Sequence, residues 1–333
     1  MTDFLSNLLR ETAGSDALNV LTGTAIGYFY AFTFVMLRMA GLMTIGPVFG
    51  HPSLPVNIRV LLVVALSLVV TPAIFAETPW QTIAKYDRNG DRLLAVDEAP
   101  LKMQPRIARL LESATPTTPD GVTAEQLALS IQPPKSLVDY VWTGVGEFSL
   151  GLVLGIGVTI IHSGLKLAGH MIAQQSGTAV GEVFNPALNS SETVTARLLY
   201  LLGLTLFLTV GGHLSMISAL LETYQAFPIG EGFVDGAAID LLHQIFMRSL
   251  SLALQVAAPA LAVIALIAVT MGFLGLSVSQ INVLVVGFPI RATVSLIVVS
   301  FALIGAGGVI VDAVEVTIEQ LEYAIIGIAP SLQ

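Results

Sequence analysis

Six stretches of the chain are continuously apolar over the length a membrane crossing needs, at about 26 to 46, 58 to 76, 141 to 163, 198 to 221, 249 to 275 and 281 to 311. A helix covers a hydrocarbon core of about 30 Å with about 20 apolar residues. Transmembrane barrel strands would instead alternate apolar and polar positions over about ten residues, which these runs do not. The pattern predicts an all-α, polytopic membrane protein of about six long hydrophobic helices, several of them kinked. The last two runs exceed one crossing, and Pro289 and Arg291 interrupt the sixth. Broken backbone is therefore expected there, enclosed by protein or a water-filled cavity. Residues 1–23 carry Asp3, Glu11 and Asp16 against Arg10. That is not the basic and then apolar order of a cleavable leader, so the spans are expected to insert as themselves.

One polar stretch interrupts this pattern. Residues 77–139 hold 16 of the chain's 37 charged residues and seven of its 16 prolines. Prolines at that density punctuate short helices. The expected organisation is residues 1–76 as N-terminal hydrophobic helices, 77–139 as a small polar helical insertion, and 140–333 as C-terminal hydrophobic helices. Within the insertion, Asp87, Asn89, Asp91 and Glu98 occupy positions 1, 3, 5 and 12 of an EF-hand-like loop, and Leu94 is apolar at position 8. Calcium takes six to eight hard oxygens, which this spacing supplies in part. Arg92 at position 6 replaces the turn glycine, and Ala95 at position 9 has no side-chain oxygen. The spacing thus leaves open a weak calcium site or a capped helix-loop-helix that binds nothing.

The remaining composition narrows the chemistry further. Mean hydropathy is +0.82 and only 11% of residues are charged, with a net charge of −9. Nucleic acid is an unsuitable partner for such a chain. There is no cysteine, so disulfides and thiolate chemistry are absent. No HExxH, GxSxG or P-loop pattern occurs, and catalysis is not expected. Gly151 and Gly155 in the third run have the small-xxx-small spacing of closely packed membrane helices. Arg38 lies within the first run and Arg291 within the last, where a cation is costly unless it faces protein or water. Both are open to structural pairing or to lining a passage. Arg59, Lys166, Arg197 and Arg248 lie near run ends and are expected to snorkel. His213 lies within the fourth run and is expected to be packed and hydrogen-bonded.

Several segments together resemble the FliR family of flagellar type III export gate subunits, whose injectisome relatives are called SctT. They are Leu37-Arg38 through Gly50, Leu54-Pro55 with Ile58 to Val60, Ala168-Gly169 through Asn185-Pro186, Leu208 to Leu214, Phe227 to Gly230, and Gln280 to Ile290. The last is the most specific and looks flagellar. The resemblance covers nearly the whole chain except residues 77–139. It implies a non-catalytic subunit that assembles with P and Q subunits into a pore, near the B and A subunits, in the bacterial inner membrane at the flagellar basal body. It implies unfolded flagellar proteins as cargo. It also implies an inward plug loop at 177–194, here Gly177, Val180, Val183, Phe184, Asn185 and Pro186. Val180 and Val183 stand where the family has phenylalanine, and Asn185 where it has aspartate.

Two other classes compete from the residues alone. Broken apolar helices with Arg38 and Arg291 fit a secondary transporter, which binds substrate at discontinuous helices. Asp87 to Glu98 fit a calcium-responsive membrane receptor.

Overall fold

The computed structural model describes residues 27–51, 53–74, 79–113, 121–129, 136–179, 193–232, 234, 236–277 and 283–326. The described residues form ten helices. These are α1 (Gly27–Ile45), α2 (Val56–Ile74), α3 (Pro79–Tyr86), α4 (Gln104–Ser113), α5 (Ala124–Leu129), α6 (Leu137–Ser176), α7 (Val194–Thr209), α8 (Gly212–Ala226), α9 (Gly236–Ser277) and α10 (Val283–Ile326). The fold is all-α.

Helices α1, α7, α9 and α10 pack around α6. Ser136 caps its start by accepting a hydrogen bond from the Asp139 amide at 3.1 Å. Gly177 ends it in the left-handed conformation at φ 80°, the usual device for stopping a helix. Between these caps, α6 meets most of its neighbours through glycine. A Cβ at Gly151 would overlap the Arg38 carbonyl oxygen, one at Gly155 would press on the Leu42 carbonyl oxygen, and one at Gly41 of α1 would overlap the Phe148 carbonyl oxygen. Further along, Gly157 lies under Leu321 of α10, Gly164 against Ser249 of α9, and Gly169 against Ala196 of α7. Because lipid tails are as apolar as leucine, such close backbone approach is what holds membrane helices together. Hydroxyls reinforce it: Thr159 donates to the Ile45 carbonyl at 2.7 Å and Ser249 to the Ile160 carbonyl at 2.7 Å.

Among the described residues four helices, α1, α2, α6 and α9, are long and apolar enough to cross a membrane, or five if the bent pair α7–α8 is one span. The fourth run breaks at Val210-Gly211, and its halves meet at 64°. Gly211 sits at φ 83°, a conformation that costs other residues about 1–2 kcal/mol. By contrast, α9 and α10 stay helical through Pro259 and Pro289. The described break thus lies at Gly211, where the missing side chain removes the steric cost of the left-handed conformation, and not at Pro289. Gly211→Ala meets no neighbouring atom within 4 Å, so its penalty is purely conformational. It should lower the thermal midpoint of the detergent-solubilised chain by a few °C, measured as the soluble fraction after heating.

The polar insertion carries its own small core of Ile83, Leu94, Ala99, Met103, Ile107, Val122, Ala124 and Leu127. Leu94 and Val122 exchange amide-to-carbonyl hydrogen bonds, both at 3.0 Å, and so join the loop after α3 to the segment before α5.

Candidate functional site

Arg38 is the largest fully buried side chain of the described residues, and Glu147 on α6 meets it, both at 0% exposure. The Arg38 Nε donates to Glu147 Oε2 at 2.6 Å. Its Nη1 donates to Thr223 Oγ1 at 2.9 Å, and its Nη2 to the Phe227 carbonyl at 3.0 Å. The guanidinium lies 3.9 Å over the Tyr224 ring, a favourable cation–π placement in a dry site. Glu147 Oε1 accepts from the Gly230 amide at 2.8 Å and the Gly232 amide at 3.2 Å. Both charges are thus hydrogen-bonded on more than one side, which is the condition under which a buried ion pair is tolerated.

Local sequence explains the arrangement. The chain leaves α8 at Phe227 and turns through Pro228-Ile229-Gly230, with Gly230 at φ 94°. This turn aims two amides at the carboxylate. A Cβ at Gly232 would come within about 3 Å of the Glu147 backbone and side chain, so only glycine lets the turn sit there. The pair therefore ties α1, α6, the end of α8 and the turn at 227–232 into one unit. Of the two open readings of Arg38, structural pairing is the one the geometry supports.

Glu147 was not singled out from the sequence. The signal was present: it is the only charged residue in the apolar run 141 to 163, as Arg38 is in 26 to 46. Two lone opposite charges in apolar runs are natural partners.

The other predicted residues are dispersed. Arg291 is half-buried, and its Nε is buried without a hydrogen-bond partner. His213 is half-buried and its Nδ1 is likewise unsatisfied, so it is not the hydrogen-bonded histidine expected. The packed histidine is His162 of α6, whose Nδ1 lies 3.0 Å from the Val158 carbonyl. Arg59 donates to the His51 carbonyl at 3.3 Å, closing the turn before α2 rather than reaching away from it. Gly177 packs against the Phe288 ring, 3.1 Å from where its Cβ would stand. Val180, Val183, Phe184, Asn185 and Pro186 lie outside the described residues.

In the insertion, Asp87, Asn89, Asp91 and Glu98 do share one loop, but their oxygens face its own amides. Asp87 accepts from Gly90 at 2.7 Å and Arg92 at 2.9 Å. Asp91 accepts from Leu93 at 2.7 Å, and Glu98 Oε1 from Arg88 at 3.2 Å and Asn89 at 3.3 Å. Arg92 takes the left-handed position at φ 64° that the loop pattern gives to glycine. Among the described residues no group of three or more His, Asp or Glu is placed to hold a metal. In this structure the side chains close a turn through backbone amides.

Fold and site together define a polytopic helical membrane protein, closed around a buried Arg–Glu pair. Residues 29–316 match the family described as bacterial export proteins, family 1. The chain belongs to that family, and is a component of a bacterial export system in the inner membrane. It is 31% identical over 186 residues to the flagellar biosynthetic protein FliR of Pectobacterium carotovorum, covering 55% of this chain and 69% of that one. It is 31% identical over 159 residues to FliR of Escherichia coli, covering 46% of this chain and 59% of that protein. The Yop proteins translocation protein T of Yersinia pestis is 31% identical over 151 residues, with 45% and 58% covered. The match thus spans less than two thirds of the Escherichia and Yersinia proteins.

Proposed function

We propose that the chain is a non-catalytic gate subunit of the flagellar type III protein export apparatus. In this reading it assembles with P and Q subunits, next to the B and A subunits, and passes unfolded flagellar proteins across the inner membrane. The observation that carries it is the family match over residues 29–316, together with the similarity to flagellar and Yop-translocation relatives.

The physical features support the same reading. The helix α9 has 42 residues and α10 has 44, each about 60 Å long, twice a hydrocarbon core. Arg248, Ser251 and Gln255 on α9, with Asp312, Glu315 and Glu319 on α10, are exposed. Charges on this scale are costly against lipid, so these faces suit protein partners or a water-filled passage. The segment 177–194 is proposed as the plug, with an apolar ring that excludes ions by dewetting at rest.

The test is to tag Gln333, extract native membranes in mild detergent and weigh the complex by native mass spectrometry. One copy of this chain with several copies of two smaller membrane proteins is the expected result. A chain that runs alone and supports substrate-dependent flux after purification would overturn the reading in favour of a transporter.

A further inference from the structure

The sequence places the insertion as a tethered appendage, but two of its cations, Lys102 and Arg109, contact the segment that builds the Arg38–Glu147 site. Lys102, Arg106 and Arg109 are spaced by four and three residues, which puts them on one face as α4 begins. Lys102 forms an ion pair with Glu222, one turn before the end of α8. Arg109 donates through Nη2 to the Ala226 carbonyl at 2.7 Å, one of the last carbonyls of α8, where a cation also complements the helix dipole. Its guanidinium lies 4.3 Å over the Phe227 ring. Arg106 is 7% exposed. Burial pushes its guanidinium below the ordinary pKa, and the nearby Glu231 carboxylate pulls the other way.

Phe227 is thus held from both sides. Its ring lies under Arg109 of the insertion, and its carbonyl accepts from Arg38 of α1. Glu231, whose charge acts on Arg106, lies between the two glycines whose amides hold Glu147. Helix α4 therefore covers the outer side of the turn whose inner side satisfies the buried pair.

We infer that the insertion is a built-in clamp: Lys102 and Arg109 are positioning residues that hold the 222–232 segment against Arg38 and Glu147. This inference stands apart from the export reading, since it concerns how one part of the chain positions another.

The chain has no cysteine, so engineered thiols can be read without background. The full-length chain is expressed in its native membranes as Lys102→Cys/Glu222→Cys, and a short thiol-reactive cross-linker that spans the reach of the two replaced side chains should link the positions, identified as a linked peptide by mass spectrometry. Lys102→Cys/Ser251→Cys should give none. Separately, Ala226 is buried, so the Ala226→Cys thiol should react slowly with a small permeant maleimide. Adding Lys102→Ala/Arg109→Ala should speed that labelling about tenfold or more, whereas adding Arg88→Ala/Arg92→Ala, in the same insertion but away from α8, should leave it unchanged. Absence of the engineered link between positions 102 and 222 in membrane-inserted chain, or unchanged labelling of Ala226→Cys when the clamp cations are removed, overturns the inference. Neither measurement reads export, so failure of the clamp and failure of the gate assignment are distinguishable.

Discussion

Glu147→Ala should be the most damaging single truncation in the bundle. It leaves Arg38 charged at 0% exposure with no counter-ion, and leaves the Gly230 and Gly232 amides without their acceptor. Removing one partner of a buried pair costs about 3–5 kcal/mol, and each orphaned amide adds about 1–3 kcal/mol. Against a total stability of about 5–15 kcal/mol, the expected result is loss of folded chain from the membrane. Arg38→Met alone should behave similarly. The double variant Arg38→Met/Glu147→Leu removes both charges and should recover part of the loss, because an apolar pair of similar volume is often tolerated where a lone charge is not. Recovery should stay incomplete, since the two glycine amides still lack an acceptor. Steady-state membrane levels and detergent melting of the three variants decide the matter. If the double variant is no better than either single one, the pair is not the reason Arg38 and Glu147 are needed.

Gly151→Leu is expected to separate α1 from α6. Even the Cβ of such a residue would overlap the backbone carbonyl oxygen of Arg38, and backbone cannot rotate aside as a side chain can. Overpacking costs about 1–3 kcal/mol where neighbours adjust, and more where they cannot. Because Arg38 itself is displaced, the ion pair with Glu147 is stretched at the same time, so the two losses add. Gly272→Ala is the contrast: nothing lies within 4 Å of the added Cβ, and relief of the helix penalty should make it neutral or stabilising by about 0.5–1 kcal/mol. A melting curve in detergent distinguishes them, and equal behaviour would refute the close-packing account of α6.

Much of this fold was legible in the sequence for identifiable reasons. Long continuous apolar runs mark membrane helices because the hydrocarbon core demands a minimum length, and Gly151 and Gly155 mark a packing face because only small residues allow backbone contact there. Arg38 stood out because a cation in an apolar run is costly. The break at Gly211 was not legible, since Pro289 offers the stronger signal, yet the helix continues through it. Pro289 is the seventh residue of α10, so it forgoes one internal amide hydrogen bond, and the turns on either side hold the helix.

The features readable from the chain were therefore local: its apolar class, the glycine face of α6, the polar character of residues 77–139 and the anomaly of Arg38. Partnership came only with packing. Glu147 stands 109 residues from Arg38 and Thr223 stands 185 away, and no periodicity relates them. Their meeting depends on how α1, α6 and α8 cross, as does the docking of Lys102 onto Glu222 from a segment that looked tethered. Hydrophobic period and helix propensity act within a turn or two of chain, whereas pairing of buried charges is settled only when separate helices have packed and excluded water.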